Sequence, residues 1–142
     1  MRTHPYLFIA LFSALFATGA NANEALWRDC VDLPNASNLE VADCLADKVK
    51  AEEATLTALM NEQLTSAREV DASTREHEPD SIFAVQEAKL KASHAAFEAY
   101  TKADCDRVYY SYTGGSGANT ANLICQLEHL HERIRLLKAE IQ

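Results

Sequence analysis

Four cysteines hold most of the chemistry this sequence can offer, and their spacing decides its kind. Cys30 and Cys44 lie 14 positions apart, and Cys105 and Cys125 lie 20 apart. Neither pair has the C-x-x-C form of a zinc site or a thiol redox motif. An even number of thiols in a small chain behind an apolar leader points instead to two disulfides. The histidines add little. His129 and His131 are two residues apart in a helix-forming stretch, so they face different directions and cannot share an ion. Glu128 and His131 have the Glu-x-x-His spacing of a di-iron half-site, but the chain offers no second half. There is also no nucleophile elbow, no phosphate loop and no acid–base pair marked by its surroundings. The sequence therefore predicts no metal, no cofactor and no catalytic residue. The acidic side chains Glu52, Glu53, Glu76, Glu78 and Asp80 read as the wet face and turn of a helical bundle.

The compartment follows from the N-terminus. Arg2 is followed by the apolar run Leu7 to Thr18, which has the length of a signal-peptide core and is too short to span a bilayer. Ala20-Asn21-Ala22 has the small-x-small pattern of a cleavage site, so residues 1–22 are expected to be a signal peptide and 23–142 the mature domain. No lipidation site precedes Cys30, which follows Trp27-Arg28-Asp29. Removing the leader takes away one basic residue and leaves 12 basic against 21 acidic side chains, a net charge of −9. Such a chain is ill suited to nucleic acid, where phosphate contacts need clustered Lys and Arg. It suits cationic partners, whose approach it would accelerate. A periplasmic or secreted protein with no stable membrane anchor after cleavage is expected.

About 120 residues form one domain, and their punctuation is sparse. Ser37-x-x-Glu40 has the form of a capping box. Beyond it, Leu45, Val49, Leu56, Met60 and Leu64 recur at steps of four and seven, the stripe of a first long helix. The polar run Asp71 to Pro79 is read as its closing turn. A second helix is expected from Asp80 or Ser81 to about Tyr112, with Phe83, Leu90, Phe97 and Tyr100 among its apolar positions. Gly114-Gly115-Ser116-Gly117 must stop it. A third runs from near Ala118 to near Glu140, burying Leu123, Leu127, Leu130, Ile134, Leu137 and Ile141. The fold class is thus all-α: a small antiparallel bundle of three long helices stapled by two disulfides. Antiparallel packing sets Cys105 and Cys125 at matching heights, and a chain folding back over the first helical turns joins Cys30 to Cys44. Four cysteines nevertheless permit three connectivities.

These features together resemble the lysozyme inhibitor LprI-like family of bacterial exported proteins. The resemblance is carried by Ser37-x-x-Glu40-x-x-x-Cys44 with Cys30 upstream, and by Ser93-x-x-Ala96-Phe97-x-Ala99-Tyr100-x-x-Ala103-Asp104-Cys105. Gly114-Gly115-Ser116 before Cys125, and Arg133 after it, complete the pattern. The chain departs from that pattern at Thr57, Met60, His94, Phe97 and Thr101, where the family usually has Asn, Tyr, Gln, Trp and Arg. The resemblance implies an exported helical domain that binds a protein, lysozyme in one branch of the family. It supports an inhibitor that occludes a cationic glycan hydrolase. The alternative is a non-inhibitory interaction or envelope-stress module. The residues themselves favour one partner-binding surface: Tyr109, Tyr110 and Tyr112 with Gly114, Gly115 and Ser116. Three tyrosines in four positions cannot all face one core, and Tyr, Ser and Gly make adaptable contacts at low entropic cost.

Overall fold

The computed structural model describes residues 26–140, and among them four helices and no strand. α1 spans Arg28–Val31, α2 Asn38–His77, α3 Gln86–Ser111 and α4 Ala118–Glu140. The expected signal peptide, its cleavage site and Ile141 lie outside the described residues. The long helices run up, down and up. Arg68 of α2 meets Glu87 of α3, Asp104 of α3 meets His129 of α4, and Ser93 meets Arg133 farther along the same pair. The three-helix expectation holds, with the single turn of α1 added to it. No described helix is long and apolar enough to cross a membrane.

α2 begins as its sequence dictates. The Ser37 hydroxyl accepts from the Glu40 N–H at 3.3 Å, and the Glu40 carboxylate accepts from the Ser37 N–H at 2.7 Å. The bonds its carboxylate accepts, from the Ser37 N–H above all and then from the Ser37 hydroxyl at 2.8 Å, hold the Glu40 carboxyl below its ordinary range. The other end corrects the sequence reading. Residues 71–77, read as a turn, continue the helix to His77. They contain neither Gly nor Pro, and polarity alone does not end a helix. Pro79 does, because its ring drives Glu78 out of the helical region to φ −135° and ψ 82°.

The start of α3 is a second correction, since it lies at Gln86 rather than at Asp80 or Ser81. Its cap comes from another helix. The buried Asp71 carboxylate accepts from the N–H groups of Gln86 at 2.7 Å and Glu87 at 3.1 Å. These are two of the four donors that a helix start leaves without partners. Replacing Asp71 by Ala should destabilise the fold by about 2–3 kcal/mol, since a charge-assisted pair of bonds is lost from a buried place. Asp71→Asn should recover part of that loss. Urea unfolding measures both, and a loss under ~0.5 kcal/mol for Asp71→Ala would remove the cap from the account.

The core is shared mainly by two helices. Val49, Leu56 and Met60 of α2 pack with Leu127, Leu130, Ile134 and Leu137 of α4. Leu90 and Phe97 of α3 join them only partly buried, and Cys105 is the one α3 residue that is fully buried. Phe83 and Tyr100, read as apolar positions of the second helix, are exposed. α3 is therefore attached by specific ties as much as by apolar area. The Asn122 amide donates to the Cys105 carbonyl at 2.8 Å, and the Cys105–Cys125 disulfide sits beside it with a Cα separation of 5.6 Å. Cys30–Cys44, with a Cα separation of 5.7 Å, pins α1 against the first turns of α2. All four cysteines are paired in this local pattern.

Candidate functional site

The tyrosine–glycine tip is built by the way α3 stops. Tyr112 turns its N–H back to the carbonyls of Tyr109 and Tyr110. Thr113 at φ 50° and Gly114 at φ 79° then reverse the chain through the left-handed region. Glycine adopts that angle freely, and space around Gly114 is open. Gly115 donates to the Tyr112 carbonyl at 2.9 Å, and Ala118 donates to the Gly115 carbonyl at 3.1 Å as α4 begins. The Tyr112 ring lies over Gly117, where a Cβ would come within 3.4 Å of it. All three tyrosines are exposed, Tyr110 most of all at 75%. The rings of Tyr109 and Tyr110 meet edge to face, with centroids 5.4 Å apart. Two turns below, the Cys105–Cys125 bridge ties the two helices that carry this tip.

His129 and His131 each face a carboxylate on another helix. Nε2 of His129 lies 3.1 Å from the Asp104 carboxylate, and the Tyr100 ring meets the imidazole edge-on at 5.2 Å. Arg107 above all, and then His129, hold the Asp104 carboxyl below its ordinary range. His131 points the other way, toward Glu52 of α2 at 3.8 Å, as the two-residue spacing requires. Glu128 accepts from the Trp27 indole at 3.2 Å, so the Glu128/His131 pair does not converge on one ion. Cys105, Cys125 and His129 do come within ligand distance of one another. Both sulfurs are consumed in the disulfide, which leaves no thiolate there.

A feature the sequence did not reveal as a site is an open groove of about 470 Å³ between α2 and α3, floored by α4. Thr57 lines it from α2, His94, Phe97 and Thr101 from α3, and Asn122 and Gln126 from α4. Met60 joins Thr57 and His94 in the adjoining depression. The five positions at which the chain departs from the LprI-like pattern thus line the groove and its adjoining depression from both sides, Thr57 and Met60 on α2 and His94, Phe97 and Thr101 on α3. Nδ1 of His94 and the Thr101 hydroxyl have no hydrogen-bond partner there, and the Arg133 guanidinium stacks over Phe97 at 5.8 Å. Spacing along one helix could have suggested that 94, 97 and 101 share a face. Only the packing shows that Thr57 joins them.

The stapled bundle therefore offers exposed contact surfaces and a groove, and several of its carboxylates, Asp29, Glu87, Asp104 and Glu132 among them, are paired with neighbouring basic side chains. Neither the curated proteins nor the solved structures contain a match to it. A family model described as lysozyme inhibitor LprI matches residues 30–137, from the first paired cysteine to the last fully buried leucine of α4. The chain belongs to the lysozyme inhibitor LprI family.

Proposed function

We propose that this chain is an exported inhibitor of lysozyme that acts by binding, with residues 1–22 as the export signal and the tyrosine–glycine tip as a contact surface. The observation that carries the reading is the tip itself: three exposed tyrosines on a turn anchored by a disulfide, in a chain of the LprI family. Such side chains supply contact area with little rotamer entropy to lose. The acidic chain, −9 after removal of the leader, would draw a cationic glycan hydrolase toward it. No reaction is required of the inhibitor, because occupying a cleft excludes the substrate.

The test is a cell-wall lysis assay with an animal lysozyme, titrated with oxidised mature protein and, in parallel, with a reduced and alkylated sample. Saturable inhibition by the oxidised form alone is expected, with an association rate that falls as salt rises. Tyr110→Ala should weaken inhibition by about 2 kcal/mol, roughly 30-fold. Full inhibition by Tyr109→Ala, Tyr110→Ala and Tyr112→Ala variants alike would move the contact surface away from the tip.

A further inference from the structure

The opposite end of the bundle carries a second arrangement made for contact. The loop joining α2 to α3 exposes Ile82 at 78% and Phe83 at 70%, side by side. Large apolar side chains so exposed are ordinary when they stand singly on a mobile segment. Here the backbone beneath them is fixed on both sides. The Arg75 guanidinium donates to the Ala84 carbonyl at 2.7 Å, and Ala84 itself is buried. Val85 donates to the Phe83 carbonyl at 2.8 Å, and Ser81 donates to the Glu78 carbonyl at 3.0 Å. Asp71 clamps the two residues that follow. The loop is thus presented in one shape, and little ordering is left to oppose binding.

Its surroundings select the kind of partner. Glu76, Glu78 and Asp80 precede the pair, in the last turn of α2 and the loop, and are all exposed. Two nearby basic side chains are turned elsewhere, Arg75 to the Ala84 carbonyl and His77 to the carbonyl of Ser73 at 2.8 Å. An apolar pair with this acidic rim on its N-terminal side complements an apolar cleft with a basic rim. The same rim opposes a second copy of this chain and an anionic lipid surface, because like charges would meet.

We propose that the α2–α3 loop is a docking surface for a basic-rimmed, apolar protein cleft, with Ile82 and Phe83 as the side chains that enter it. For the identity of that protein the proposal rests on the lysozyme reading above. The 26 residues of α3 separate this loop from the tyrosine tip by about 39 Å, too far for both to enter one cleft. If both ends engage, each chain holds two lysozyme molecules.

The test is titration calorimetry of the oxidised mature protein with an animal lysozyme, comparing wild type with an Ile82→Ser/Phe83→Ser variant. Both side chains are exposed, so the variant's thermal melting should match wild type. The expected result is a stoichiometry of two lysozymes per chain falling to one in the variant. A single event weakened ~30-fold in the variant would equally support the loop. Glu78→Lys/Asp80→Lys should slow association while leaving Ile82 and Phe83 in place. Unchanged stoichiometry and affinity in the Ile82→Ser/Phe83→Ser variant would overturn the proposal and leave the lysozyme reading standing. So would sedimentation showing a wild-type dimer that this variant dissolves without altering lysozyme binding. No binding by wild type would overturn the lysozyme reading, and this proposal with it.

Discussion

Reduction of both disulfides should unfold the domain at room temperature. The Cys30–Cys44 and Cys105–Cys125 bridges close loops of 14 and 20 residues. Each such closure removes unfolded-state freedom worth about 3 kcal/mol on the chain-entropy view, so together they contribute about 6 kcal/mol. A domain of this size has roughly 5–15 kcal/mol in all. The attachment of α3 makes the low end of that range relevant, since Cys105 is its one fully buried residue. The two bridges should also differ in what their loss releases. Cys105→Ala/Cys125→Ala should free α3 from α4 and lower the melting temperature by on the order of 15 °C. Cys30→Ala/Cys44→Ala should release α1 and expose Leu45, with α2–α4 packing retained. Circular dichroism melts of the two double variants and of the reduced, alkylated chain measure this. A reduced chain that melts cooperatively within a few degrees of the oxidised one would refute the assignment of stability to the staples.

The second large effect is expected from Leu127→Ala, at about 3–4 kcal/mol. Leu127 is 1% exposed and sits in the cluster that α2 and α4 share. Truncating a buried leucine loses its transfer free energy and leaves a cavity, for a total of about 2–5 kcal/mol across measured cases. Neighbours in α2 and α4 are held by helix geometry and cannot collapse far into the space. Leu136→Ala is the matched control, because the same truncation on the same helix removes a side chain that is 42% exposed. It should change stability by no more than about 0.5 kcal/mol. Urea midpoints for the two variants, at unchanged denaturant slope, separate the cases. Equal shifts would mean that the α2–α4 seam is not the core.

The elements that punctuate themselves were legible from sequence. α4 could be bounded because Gly114, Gly115 and Gly117 isolate its start and its leucines repeat without interruption. The start of α2 was legible because Ser37 and Glu40 cap each other within one turn. The α2–α3 junction was not, because the cap of α3 is Asp71, 15 residues before Gln86 and on another helix. A local scan instead found Asp80 and Ser81, and so drew Phe83 into a helix it does not join. Helical periodicity also overstated the burial of α3, since Tyr100 stands on the stripe yet faces outward beside His129. For the candidate surfaces, the angular spread of the tyrosines required that at least one be exposed, and the structure exposes all three. The groove and the Ile82–Phe83 loop were not legible, because each depends on tertiary contacts that fix where a wall or a loop stands.

The pattern of the bridges bears on how the protein matures. Each joins a cysteine to the next one along the chain: first to second, third to fourth. A chain that emerges N-terminus first into an oxidising space therefore meets its correct partners in order. Cys30 finds Cys44 while the later thiols are still to arrive, and the second pair then has only itself left. For a chain so exported, a simple thiol oxidase should suffice, with little call for an isomerase.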